Sequence, residues 1–368
     1  MVTVKKVSRV IAGAVLSGFC LGQEAARAHP GHSPFVPHEN TLLSEAGGQN
    51  VLVVPPDALG RPAYYSAGTL NTLLATGQET GGAFSLLNIV SLPQFGTPPH
   101  IHTREDEVYY VLDGQVNFQL GSPTGPQNIA ATPGTFAFLP KGRPHAWQNT
   151  GTTLANILVF PFPAGFEGFI IDQNQPVIDR SAPIPASPPT PEIFDIAQEY
   201  GLQVLSGSPS DFYESDTMEH LVIQPGSTNL PSFNEAGVLF TSLATREDTG
   251  GQVSVFDVAL APQTGSAQLV SNNWESQAFY ILNGDVTFQI GDETTLGTPG
   301  TFVYLPAETS YAFQNLGTTP ARTLLLTTPV SVPEPSSTLG LLASGAFLRT
   351  ASLLKRKQKT NKTHNVCV

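Results

Sequence analysis

Cysteine is almost missing from the 368 residues: there are two, Cys20 in an N-terminal apolar stretch and Cys367 next to last. The chain between them can form neither a disulfide framework nor a thiolate zinc site. Methionine and tryptophan are equally scarce, at 2 each. Basic residues are few and badly distributed. Residues 1–28 hold four and residues 333–368 hold six, which leaves seven against 27 acidic residues in between. A body that acidic excludes nucleic acid as a partner, because phosphate binding rests on Lys and Arg, and it argues against anionic lipid. Long apolar runs are missing as well. The stretch Val10 to Leu21 is short for a bilayer span.

Turn-forming residues, by contrast, are abundant, with 34 glycines and 32 prolines. Short β-branched and aromatic runs between them indicate an all-β protein. The chain also repeats itself. EVYYVLDGQVNFQLG (107–121) matches QAFYILNGDVTFQIG (277–291), and PGTFAFLPKGRPHAWQNTGTT (133–153) matches PGTFVYLPAETSYAFQNLGTT (299–319). GGAFSLLNIVSLPQFG (81–96) aligns with GGQVSVFDVALAPQTG (250–265), in the same order. Two domains follow, at 46–170 and 232–330, each expected as a jelly-roll barrel of short strands. Asp113-Gly114 reads as a hairpin turn. The linker 171–231 carries five prolines within 182–191. One short helix is expected after them, with Thr190 as cap, Pro191 in its first turn and Gly201 at its end. Ile193, Ile196, Ala197 and Tyr200 would share the face that packs on a barrel.

The first copy concentrates metal-ligating side chains. His100 and His102 alternate on a strand and so point to one side. Glu107 follows after a short turn, and His145 comes from a later segment. Three imidazoles and a carboxylate suit one divalent first-row metal (Fe, Mn, Co, Ni, Cu or Zn) and leave coordination positions open for water, substrate or O2. In the second copy the aligned residues are Val270, Asn272, Gln277 and Tyr311, so that barrel should be metal-free. Trp147 and Tyr109 each lie two residues past a ligand and are candidates to line a substrate pocket. Lys141 and Arg143, in the turn before His145, are candidates to steer an anionic substrate. His29, His32 and His38 lie in a proline-rich leader, 29–45.

These residues resemble the two motifs of the cupin superfamily. The first is His-x-His, three or four residues, Glu, six residues, Gly, matched by His100, His102, Glu107 and Gly114. The second is matched by Gly134, Pro140, Gly142, His145 and Asn149. Gly96 departs from the pattern, lying three residues before His100 where five are usual. Within the superfamily the chain looks like bicupins of the quercetin 2,3-dioxygenase type. That resemblance implies a metal-dependent dioxygenase acting on a flavonol-like, enolic or aromatic small molecule, with Glu107 as both ligand and proton acceptor. A non-enzymatic ligand-binding module and another metal cupin enzyme, a decarboxylase or isomerase, are the alternatives, and the chain could be a monomer or a homodimer.

Both ends read as addresses. Lys5-Lys6 and Arg9, the apolar run and Ala26-Arg27-Ala28 form a secretory signal, 1–28. Val332-Pro333-Glu334-Pro335, an apolar stretch to Leu348 and Lys355-Arg356-Lys357 resemble a PEP-CTERM sorting tail, 331–368. That resemblance implies processing by an exosortase-type enzyme and a secreted or cell-envelope location in a Gram-negative bacterium.

Overall fold

Successive strands pass back and forth between two sheets in each half of the chain. The structure, a computed structural model, describes residues 42–46, 49–173, 176–214 and 218–330. The expected secretory signal, the leader histidines, both cysteines and the expected sorting tail lie outside them. In the first half Asp106–Asp113 sits in a seven-stranded antiparallel sheet, and the next strand, Val116–Leu120, sits in a five-stranded one. Phe136–Leu139 and His145–Asn149 split between the same two sheets. The second half repeats this with Glu275–Asn283, Val286–Ile290, Phe302–Leu305 and Ser310–Asn315. Two all-β barrels in tandem result.

The hairpin expected at Asp113-Gly114 is therefore a crossing between sheets. Its flanking strands have different partners, and Gly114 is needed for space as well as for its φ of +84°: a Cβ there would lie 2.7 Å from the Ala155 Cα.

The strands of the seven-stranded sheet are apolar almost throughout because both faces are buried. Tyr109, Val111, Ala137, Leu139, Ile157 and Val159 point into the first barrel. Their alternates Val108, Tyr110, Phe136, Phe138, Leu158 and Phe160 point outward onto Ala244, Val255, Phe302, Tyr304, Leu324 and Leu326 of the second half. Period-two alternation thus feeds two cores at once. At roughly 1.5–3 kcal/mol for each large apolar side chain removed from water, this shared core joins the barrels firmly.

The barrels also exchange strands. Gln49–Val54, placed in the first domain by the sequence, pairs instead with Phe302–Leu305 of the second barrel. Leu221–Ile223, placed in the linker by the sequence, pairs with Phe136–Leu139 of the first. Leu202–Val204, also in the linker, pairs with Gly96–His102. Among the described residues there are three α-helices where one helix was expected: α1 (Gly77–Thr80), α2 (Phe166–Asp172) and α3 (Pro191–Glu199). α3 follows its sequence signals, with Thr190 at the N-cap, Pro191 at N1 and Gly201 just beyond its end at φ +81°. Its face of Ile196, Ala197 and Tyr200 packs on the first barrel. No helix among the described residues is long and apolar enough to cross a membrane.

Candidate metal centre

Strand register brings the four candidate ligands together. His100 and His102 point the same way from Gly96–His102, and His145 pairs directly opposite His100. That approach depends on Gly96, because a Cβ there would lie 2.0 Å from the Trp147 carbonyl oxygen. Glu107 enters from the other sheet. All four side chains are buried, and their ligand atoms lie within 4.8 Å of one another.

The polar contacts fix which atom each imidazole presents. His100 Nδ1 meets the Pro98 carbonyl at 2.8 Å, His145 Nδ1 the Arg143 carbonyl at 3.0 Å, and His102 Nδ1 the Glu105 carboxylate at 3.3 Å. Acceptors at all three Nδ1 positions place the proton there and leave each Nε2 with a lone pair. Those lone pairs converge. His100 Nε2 lies 3.2 Å from His102 Nε2, and Glu107 Oε2 lies 3.2 Å from His102 Nε2 and 3.1 Å from His145 Nε2. Four acceptors that close repel one another unless a cation or a proton sits among them. The separations match the edges of a coordination polyhedron with bonds of roughly 2.0–2.1 Å. The residues thus fit a divalent metal, and the group could hold one.

Electrostatics agree. Burial works to raise the Glu107 carboxyl, but His102, His145 and His100 outweigh it and bring it down to about 2. His100 is held well below the usual histidine range by burial, reinforced by His145 and His102. Burial opposes charge on His102 too, yet Glu107 and Glu105 overcome it and the group is raised. The Tyr109 phenol is pushed well above its usual value by burial and then by Glu107. Tyr109 donates to Glu107 Oε2 at 3.1 Å.

Glu105, Asp106 and Glu107, a run that could pass for a solvated turn, are all buried, at 2%, 0% and 1% exposure. Each has its own task. Glu105 orients His102. Asp106 accepts from the Lys141 amide at 2.8 Å and from the Gln252 side chain of the second barrel at 2.5 Å. Glu107 faces the cluster.

A cavity of about 120 Å³ opens onto this group. Tyr109 and Trp147 line it, together with Ile89, Val159 and, from α2 and α3, Phe166, Phe169, Ile193 and Phe194. Phe166 also packs its ring edge-on against His102 at 5.2 Å. Lys141 and Arg143, expected to steer an anion, do not reach the cavity. Lys141 is half-exposed beside Asp106 at 3.7 Å. Arg143 is fully buried: it donates to the Met218 carbonyl at 2.6 Å, pairs with Glu219 at 3.1 Å and lies over the Tyr213 ring at 4.3 Å. Its role is to clip the linker to the loop that carries His145. The sequence reading also missed His220, whose ring lies 6.5 Å from that of His145, with burial and then His145 and Arg143 bringing it down to about 3. A lone histidine in a linker gives no spacing signal. Glu105 could have been found, since position i+3 from a histidine ligand is within reach of its Nδ1.

The profile of the family described as "Cupin domain" matches residues 89–161 and 256–327. The chain carries two cupin domains in tandem. No curated protein matches this bicupin by sequence. Solved structures sharing its fold include a protein of Pseudomonas aeruginosa described as glyoxylate-induced, at 16% identity and a TM-score of 0.54, covering 83% of this chain and 96% of that one. The protein Ylba of E. coli aligns at 12% identity and a TM-score of 0.53, covering 80% and 96%. Oxalate decarboxylase of Lactobacillus farciminis, in a formate complex, aligns at 14% identity and a TM-score of 0.52, covering 80% and 90%. At such identities the likeness speaks for the fold alone.

Proposed function

We propose that this bicupin is a metal-dependent dioxygenase acting on a small enolic or aromatic hydroxyl compound, with one divalent first-row metal held by His100, His102, Glu107 and His145. The observation that carries the reading is the cavity wall. It is apolar, with no Lys or Arg among the residues that line it. Beyond the metal, a dianion such as oxalate would find no cationic side chain there, and the charge left unpaired would lose its hydration at a cost of several kcal/mol. A neutral enol or phenol and O2 both suit such a wall. At about 120 Å³ the cavity is also below the roughly 300–1,000 Å³ of pockets for drug-sized ligands, so a single ring fits it better than a three-ring flavonol.

When bound, the metal would polarise a substrate oxygen and raise the acidity of its hydroxyl. Glu107 Oε2 is the base within reach for that proton. Tyr109, hydrogen-bonded to the same oxygen, fixes its position, and Phe166 and Phe169 keep water from the face above. Enclosure by α2 and α3 favours a second reading, a ligand-binding module without turnover. The test is oxygen uptake by metal-loaded protein offered single-ring enols, catechols and flavonols. Turnover with any of them supports the enzyme. Absence of turnover with every divalent metal, together with unchanged ligand binding by Glu107→Gln, supports the module. The proposal includes export to the cell envelope, checked by sequencing the N-terminus of protein from its own host for a start after residue 28.

A further inference from the structure

In the second barrel, the place of the lost metal group is an open cavity of about 520 Å³, within the range of small-molecule pockets. Its lining includes Ser271, Asn272, Asn273, Trp274, Gln277 and Tyr311, and none of the residues lining it is charged. The geometry of the first site survives with the charges removed. Tyr311 donates its phenol proton to Gln277 Oε1, where His145 meets Glu107 in the first barrel. Asn272 Nδ2 donates to Glu275 at 3.0 Å, where His102 meets Glu105. Burial pushes the Tyr311 phenol up to about 12, so it stays neutral. Asn272 Oδ1 also accepts from the Trp274 amide at 3.0 Å and so holds the loop that presents this indole. Trp274 is 69% exposed, at the mouth of the cavity. An indole left in water beside a row of amides is an amphipathic platform awaiting a partner with both an apolar face and hydroxyls.

We propose that this cavity binds a neutral saccharide, one sugar ring stacking its C–H face on Trp274 while Asn273, Gln277 and Tyr311 exchange hydrogen bonds with its hydroxyls. A metal is disfavoured, since no lining residue brings charge or imidazole. A charged ligand would find no counter-charge, and an alkyl chain would leave the amides without partners. The site is independent of the first barrel's chemistry.

The two tryptophans make the test direct. Trp147 is 3% exposed, so quenching of indole emission by acrylamide reports Trp274. The full chain is titrated with maltotriose, cellotriose, mannotriose and N,N′-diacetylchitobiose. At least one should shield Trp274 from acrylamide in a saturable way. By calorimetry, Trp274→Ala should abolish that binding, and Gln277→Leu should weaken it roughly tenfold, or about 1.4 kcal/mol. Trp274→Ala removes a surface side chain, so its thermal midpoint and metal content should match the parent, and Glu107→Gln should bind the sugar normally. Failure of every sugar to shield Trp274, or full binding by Trp274→Ala, would overturn the proposal.

Discussion

Glu105 and Glu107 are two residues apart and act on the same cluster by different routes, so their variants should differ. Glu107→Gln keeps the shape but removes the negative charge and the base. It should lose most bound metal by elemental analysis and lower oxygen uptake by about 10²–10⁴-fold. Glu105→Gln leaves all four donor atoms in place and weakens only the acceptor on His102 Nδ1. Metal affinity measured against a chelator should fall about 10–100-fold, with substrate preference unchanged. The convergence of His100, His102, Glu107 and His145 was legible in the sequence, because strand alternation and motif spacing select three of eight histidines and one of three adjacent acids. The surroundings were less so. Lys141 and Arg143 sit beside His145 in sequence, but their charges are drawn away, to Asp106 and to the Met218–Glu219 segment. Sequence proximity gave no hint of that, because the partners of Arg143 lie 75 residues on.

Elements show how the copies diverged on an unchanged backbone. In the first barrel Gly142, at φ +76°, donates its amide to the His102 carbonyl at 2.8 Å. In the second barrel Glu308 makes the same bond to Asn272 at 2.8 Å with φ +69°. The left-handed turn persisted after its glycine was lost. A side chain there costs about 1–2 kcal/mol, partly offset by the greater freedom glycine has when unfolded. Glu308→Gly should therefore stabilise the protein by about 0.5–1 kcal/mol in urea titration, and Gly142→Ala should destabilise it. The turn residues predicted where strands break, and α3 with its cap and stop followed those signals. They did not predict pairing. A glycine turn between two apolar runs looks alike whether the next strand folds back beside the first or crosses to the facing sheet, and at Gly114 it crosses.

At the scale of the molecule, the repeat revealed two barrels but not their interlock, because comparing the copies cannot say which one a flanking strand joins. Residues 232–330 alone would lack Gln49–Val54 and expose Phe302, Tyr304, Leu324 and Leu326, so by light scattering that fragment should aggregate more than the full chain. The return of the linker to the first barrel also brings in His220, and this sets an acid limit on the metal-free protein. His220 sits at about 3 in the folded state against 6.5 as its ordinary value. Between those values the unfolded chain takes up a proton that the folded chain refuses, so stability rises with pH across this window and is lost as pH falls from about 6.5 toward 3. The slope is about 1.4 kcal/mol per pH unit for one such group. His100, also depressed, adds to it, and His102, raised, opposes it. Comparing chelator-treated parent with His220→Leu by urea titration at each pH isolates the share of His220. The variant should gain on the parent as pH falls from 6.5 to 5, by about 1.6 kcal/mol over that interval, since the slope is only half its full value at 6.5. Parallel pH profiles for the two proteins would mean that His220 takes its proton in the folded state, and that the closure of the linker over His145 is looser than the packing around Arg143 implies.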